Sequence, residues 1–269
     1  KRFLSDLQRT DIYFDEKEAN KFITFSEESC CLTEDQWEGL PVIITPWRAF
    51  IYQQIYGWIV KKTGRRRVKR VYIQVAKKNA KSTDCAIIGN YHLFYDRIKT
   101  PRVYVASNNE EQSKICVSMA GRMVEFSPDL AEYLEDGTVQ LSHYNENITR
   151  VIHTARNGFI KPMSKETESK TSKMAGGKHG FSPSLILVDE FSMADSSSQI
   201  DSLESGQGAR PEPLEIIITT AGYKKDGPCF TKIRKTAIDI LEGTIKNDSF
   251  LPFIYEVDKP IGADGNELP

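Results

Sequence analysis

The segment SLILVDE (184–190) is apolar at every position from Leu185 to Val188 and then ends in two acids. A short apolar run without alternation fits a strand buried on both faces, and such strands belong to parallel sheets covered by helices on each side. Three other segments share its bias. RVYIQVA (70–76) is β-branched and alternating, PRVYVAS (101–107) resembles it, and PLEIIITTAG (213–222) stops at a glycine. Helical patterns lie between them. DCAIIGNYHLFY (84–95) is apolar enough for a buried helix, and Ser196 to Gly206 reads as another. Within 108–126, Ile115, Met119, Met123 and Phe126 form one helical stripe, a spacing that favours core packing over a cofactor site. TPWRAFIYQQIYGWIV (45–60) has Phe50, Ile51, Ile55, Trp58 and Ile59 at helical spacing, with Pro46 just inside a threonine cap, and predicts one amphipathic helix. TRVIHTA (149–155) and GFIKPMS (158–164) predict a hairpin turned at Arg156-Asn157-Gly158. Residues 1–40 are polar and mixed, with Trp37 as the first large apolar anchor. The alternation of strand and helix predicts an α/β fold, a mostly parallel central sheet flanked by helices on both faces.

A length of 269 residues accommodates one large α/β domain, or a core domain with a small appendage. No apolar run approaches the roughly 18 residues that span a bilayer, and the N-terminus lacks a secretory apolar core, so a soluble intracellular chain is expected. The five cysteines show no CxxC spacing and read as reduced thiols. The four histidines are scattered, and none pairs with a cysteine at zinc-ligand spacing. A net charge of −1 gives no overall field that attracts nucleic acid. The charge is uneven, however: KKTGRRRVKR (61–70) holds seven cations and no anion, and 161–180 holds five lysines against two glutamates. Such runs are more often solvated faces than binding sites, and DNA contact stays open on charge alone.

Ligands of parallel sheets bind at the carboxyl ends of the strands, and three polar motifs fall there. The first is VAKKNAKST (75–83), directly after a strand and opening a helix. Backbone N–H groups and a helix N-terminus at such a turn cradle phosphates, a lysine reaches the β- and γ-phosphates, and a hydroxyl ligates Mg²⁺. Lys81, Ser82 and Thr83 stand in those places, although Val75 and Ala80 replace the usual glycines. The second is Asp189-Glu190, an acidic pair at a strand end; the first carboxylate would hold Mg²⁺ and the second would orient and deprotonate a water. The third is Thr219-Thr220-Ala221-Gly222, whose hydroxyls could sense a γ-phosphate. Each has a plainer reading: a lysine-rich turn, a helix cap, a strand-end turn with a glycine. Their order on successive strands is what weighs against coincidence.

In that order VAKKNAKST, YVAS, LILVDE and IITTAG resemble the ATPase domain of the large terminase subunit of tailed bacteriophages, in its phage HK97-like branch. That branch carries a phosphate loop of the form ARKNGKS, a VDE acidic pair and an ITTAG coupling motif. PWRAFIYQQIYGW (46–58) looks like the family's adenine-side segment, and the likeness covers roughly residues 40–255. The resemblance implies a P-loop NTPase fold of the ASCE type, with ATP and Mg²⁺ as ligands. By position, Lys77, Lys78, Asn79, Ala80, Lys81, Ser82 and Thr83 would surround the phosphates, with Trp47 and Arg48 on the adenine side. Ser82 and Asp189 would hold the metal, Glu190 would be the catalytic base beside Lys81, and Thr219, Thr220 and Gly222 would form the coupling motif. Arg48 stands where the family usually has glutamine, with Gln53 or Gln54 one turn on as substitutes. Relatives receive a cation from a neighbouring subunit; Lys178 is the candidate here, with Lys173 and Arg210 behind it.

The implied function is ATP-driven translocation of double-stranded DNA into a procapsid. The implied partners are a portal protein, a small terminase subunit and further copies of the chain in a ring, pentameric on the portal, with no membrane. The place is the cytoplasm of an infected bacterium. The expected organisation is an N-terminal extension (1–40), the ATPase domain (41–255) and the start of a linker (256–269) towards a C-terminal nuclease, so that no DNA cleavage is expected of this fragment. Two alternatives stay open. Another P-loop translocase or helicase is opposed by Asp189-Glu190-Phe191-Ser192, since helicases of the DEAD/DEAH type place Asp or His two residues after the glutamate. A nucleotide-binding module without hydrolysis is allowed by the missing loop glycines.

Overall fold

The computed structural model describes residues 2–163, 181–222 and 224–256. Eleven strands are found among them: β1 (Ile12–Phe14), β2 (Trp58–Val60), β3 (Arg65–Arg66), β4 (Arg70–Gln74), β5 (Arg102–Ser107), β6 (Val139–Tyr144), β7 (Asn147–His153), β8 (Gly158–Pro162), β9 (Leu185–Asp189), β10 (Leu214–Thr219) and β11 (Phe250–Ile254). Eight of them form one sheet in the order β11-β4-β10-β9-β5-β8-β7-β6. Pairing is parallel from β11 to β8 and antiparallel across β8, β7 and β6. The remaining three pair as a small antiparallel sheet, β1-β2-β3.

The central strands divide their side chains between two apolar layers. Val71, Ile73, Val103, Val105, Leu185, Leu187, Ile216 and Ile218 enter one core cluster, while Tyr72, Tyr104, Ile186, Val188 and Ile217 enter the other. The first layer is closed by α2 (Glu16–Ser29), α3 (Pro46–Tyr56), α4 (Lys81–Phe94) and α5 (Glu110–Phe126), and the second by α7 (Ser198–Gln207) and α8 (Lys235–Glu242). Helices α1 (Arg2–Asp6) and α6 (Pro128–Glu135) complete the described set. This is the expected α/β fold with a mostly parallel sheet between helical layers.

Three sequence expectations need correction. The helix over 45–60 stops at Tyr56, and Trp58–Val60 is strand β2 paired with β1. Trp58 and Ile59 continue the helical spacing, so periodicity cannot mark the break; packing does. A Cβ on Gly57 would lie 2.5 Å from the Phe14 ring and 2.8 Å from Ala19 Cβ, so β1 and α2 approach where only glycine fits. On α5 the stripe is rotated: Ile115 and Phe126 are exposed, while Cys116, Val117, Ala120, Met123 and Val124 are buried. Trp37 is exposed rather than an anchor. That role falls to Phe22, fully buried on α2 against Tyr52, Tyr56 and Tyr91. The β7–β8 hairpin forms as expected, with Asn157 at φ 48°, but β6 adds a second hairpin before it.

Candidate functional site

In the sheet order β4-β10-β9, the strand that ends in TTAG lies between the strand of the lysine loop and the strand of the acidic pair. All three are parallel, so their motifs emerge at one edge. The loop leaves β4 with the Val75 N–H donating to the Thr219 carbonyl at 3.0 Å. It then turns through two left-handed residues, Lys78 (φ 62°) and Ala80 (φ 48°). The Asn79 amide donates to the carbonyls of Ala76 (3.2 Å) and Lys77 (3.3 Å) across the turn. Helix α4 starts at Lys81, so its first N–H groups and the positive end of its dipole point to the loop.

Lys81 is buried, and its Nζ lies 3.2 Å from Glu190 Oε1. Ser82 Oγ donates to Asp189 Oδ2 at 2.9 Å, and Cys116 Sγ reaches the same oxygen from α5 at 3.3 Å. The other oxygen, Asp189 Oδ1, is buried with no hydrogen-bond partner among the described residues. Burial pushes the Asp189 carboxyl above the usual range, opposed by the Ser82 and Cys116 bonds. A buried carboxylate oxygen without a donor, beside a helix-borne hydroxyl, is a donor set that suits Mg²⁺. Glu190 adopts φ 56°, a left-handed conformation uncommon for a residue with a side chain. Its N–H donates to the Ile218 carbonyl at 3.0 Å, and Thr220 Oγ1 donates to its Oε2 at 3.1 Å.

The coupling turn wraps against the residues after the acidic pair. The Ser192 N–H donates to Thr219 Oγ1 at 2.9 Å, and Ser192 Oγ lies 3.2 Å from Thr220 Oγ1. Gly222 has φ 64°, and a Cβ there would lie 2.5 Å from Ser192 Cβ, so this contact requires glycine twice over. A cleft of about 700 Å³ opens at this edge, with Lys77, Lys78, Lys81, Glu190, Thr220 and Gly222 among its walls. That volume suits a nucleotide.

The remaining expected residues are spread from the loop itself to the far end of the sheet. Thr83 is half-buried in the first turn of α4. The Trp47 ring meets Tyr255 edge-on at 5.2 Å, near the same sheet edge. Arg48 turns towards the loop, donating to the Asn79 carbonyl at 2.6 Å. Gln53 donates to Asn20, and Gln54 is buried, accepting from the Trp58 indole. Lys173 and Lys178 lie outside the described residues. Arg210 sits at the opposite end of β5 and β9, its guanidinium donating to the carbonyls of Ser182 and Thr100. Three of the seven cations in the basic run 61–70 are consumed internally: Arg66 pairs with Asp96, Arg67 with Asp6, and Arg70 with Glu204 and Glu215, while Lys61, Lys62, Arg65 and Lys69 are exposed.

Sequence reasoning did not single out Cys116, Ser192 or Tyr255. Cys116 lies seventy-three residues before Asp189 and carries no local signal. Ser192, two residues after Glu190, could have been found by asking what packs against a glycine that ends a strand.

A family model described as "Terminase large subunit, ATPase domain" matches residues 46–236, most of the chain. The chain belongs to that family. The large terminase subunit of Enterobacteria phage HK97 is 26% identical over 203 residues, which cover 74% of this chain and 36% of that protein. Protein YmfN of Escherichia coli (strain K12) is 40% identical over 80 residues, covering 30% of this chain and 17% of its own length. The chain thus spans about a third or less of these curated relatives. The crystal structure of the HK97 large terminase superposes with a TM-score of 0.68 at 21% identity, covering 91% of this chain and 45% of the other, a likeness of fold. No helix among the described residues is long and apolar enough to cross a membrane.

Proposed function

We propose that this terminase ATPase domain binds ATP in the cleft above β4, β10 and β9 and hydrolyses it. The observation that carries the reading is the convergence of Lys81, Ser82, Asp189, Glu190 and Thr220, with one buried Asp189 oxygen left without a donor among the described residues. The loop N–H groups and the start of α4 would receive the phosphates, and Lys81, drawn from Glu190 by their greater charge, would bind the β- and γ-oxygens. Thr220 holds Glu190 Oε2, and Oε1, paired with Lys81 in this structure, would be released by that lysine to accept a proton from water. As that proton moves to the carboxylate, the water oxygen bonds the γ-phosphorus and the bond to the β–γ bridging oxygen breaks. Ser82 and Asp189 would hold Mg²⁺, which neutralises phosphate charge when bound.

The hydroxyl pair Thr219 and Thr220 links Glu190 to Ser192 and so would pass loss of the γ-phosphate to the segment after β9. In the whole protein this cycle would translocate double-stranded DNA into a procapsid. The chain would act in a ring on a portal with a small terminase subunit, in the cytoplasm of the infected host. DNA contact would be mainly to phosphates and would weaken as salt rises. Steady-state ATP turnover, with and without DNA and with and without Mg²⁺, tests the enzymatic core. Turnover by the unaltered chain that falls at least about 100-fold in Glu190→Gln is expected. Equal turnover in both would remove Glu190 as the base, and no turnover in either would favour a nucleotide-binding module.

A further inference from the structure

The phosphate loop lacks glycine at both usual positions, yet it still uses left-handed backbone at Lys78 and Ala80. A Cβ disfavours that conformation, so something outside the turn must hold it. The side chain placed to do so is Arg48, in the first turn of α3. Its Nη2 donates to the Asn79 carbonyl at 2.6 Å, and that carbonyl belongs to the peptide joining Asn79 to Ala80. Its Nε lies 3.5 Å from Asp84 Oδ2, in the first turn of α4, where the Asp84 carboxyl is buried. One planar guanidinium therefore hydrogen-bonds the loop just before its left-handed residue and pairs by charge with the helix just after it. Its carbon also lies 5.3 Å from the Trp47 ring centroid, which keeps the fork against α3.

We propose that Arg48 is a positioning residue for the phosphate loop: its guanidinium holds the Asn79–Ala80 peptide in the orientation a loop glycine would reach unaided, and it does not read the adenine base. The inference rests on the nucleotide site proposed above. A glutamine at this position is shorter and uncharged and cannot span both Asn79 and Asp84. The alanine at position 80 and the arginine at position 48 form one compensating pair, and the adenine-side helix is tied to the phosphate loop through it.

The test is equilibrium binding of Mg²⁺–ATP and Mg²⁺–GTP, with turnover, for the unaltered chain, Arg48→Gln, Arg48→Gln with Ala80→Gly, and Arg48→Gln with Asp84→Asn. Arg48→Gln should weaken both nucleotides by about tenfold, leaving their ratio unchanged. Adding Ala80→Gly should restore most of the loss, which a general packing role for Arg48 would not allow. Restoration by Asp84→Asn but not by Ala80→Gly would overturn the proposal, making Arg48 only a counter-charge. A changed ATP-to-GTP ratio would overturn it in favour of base recognition, and unchanged binding by Arg48→Gln would remove any role. Failure of the unaltered chain to bind either nucleotide would instead overturn the nucleotide site itself.

Discussion

The two ends of the parallel sheet are both rich in cations, and they use them in opposite ways. At the amino ends of the strands, Arg66, Arg67 and Arg70 are paired with Asp96, Asp6, Glu204 and Glu215, and Arg210 is spent on backbone carbonyls. At the carboxyl ends, Lys77 and Lys78 are exposed on the cleft wall, and Lys81 faces a carboxylate that phosphate can displace. The density of charge is greater at the first end, but at the second the lysines line a cleft. A run of arginines marks a site only if its partners are not already supplied by the fold. Here three of the seven cations, Arg66, Arg67 and Arg70, bind the start of β4 to α1, α7, β10 and the end of α4, while Lys61, Lys62, Arg65 and Lys69 stay exposed.

This contrast predicts separable failures. The largest effect is expected at the cleft: Lys81→Ala should lower ATP turnover by about 100-fold or more while the melting temperature stays close to that of the unaltered chain. A melting transition that collapses with turnover would show that Lys81 supports the fold instead. Next comes the opposite end. Arg67 is buried with Asp6 at 2.8 Å and lies over Trp58, and Arg2 and Arg9 each approach the same carboxylate at 3.7 Å, so Arg67→Ala removes the nearest of three cations and should destabilise by about 3 kcal/mol in denaturant unfolding. A loss below about 1 kcal/mol would mean that Arg2 and Arg9 suffice for Asp6.

Two smaller effects sharpen the comparison. Cys116→Ala removes the Asp189 contact that comes from α5, and about a tenfold higher Mg²⁺ requirement with a smaller change in ATP affinity is expected. An unchanged Mg²⁺ titration would make the thiol mere packing. The last is a pH effect at the amino end. Burial pushes the Glu215 carboxyl from 4.5 up to about 7, despite the opposing Arg70. Between those values the folded chain keeps a proton that the unfolded chain has released, so stability should fall as pH rises through the window and level off above about 7. Glu215→Gln should flatten that slope, and an unaltered slope would assign it to other groups.

The sheet was legible because its central strands are apolar on both faces, which only a covered parallel sheet permits. The motifs were legible because parallel strands deliver their carboxyl ends to one edge, so order along the chain was enough to predict that Lys81, Asp189 and Thr220 would meet. What escaped depended on contacts remote in sequence. Trp58 continues a helical spacing, and only the approach of Phe14 and Ala19 to Gly57 stops the helix. FLPFI (250–254) contains Pro252, whose missing N–H suits only an edge strand, and β11 is the edge. Arg48 was placed on the adenine side by the family resemblance, and its hydrogen bond to the Asn79 carbonyl, thirty-one residues on, has no local signal.

The most direct measurement is Mg²⁺–ATP binding, with thermal unfolding, on three chains side by side: unaltered, Lys81→Ala and Arg67→Ala. Lys81→Ala should lose binding and keep its melting temperature, and Arg67→Ala should melt earlier yet bind ATP below its transition as the unaltered chain does. ATP binding that survives Lys81→Ala but is lost in folded Arg67→Ala would contradict the placement of the nucleotide site at the carboxyl ends of the strands.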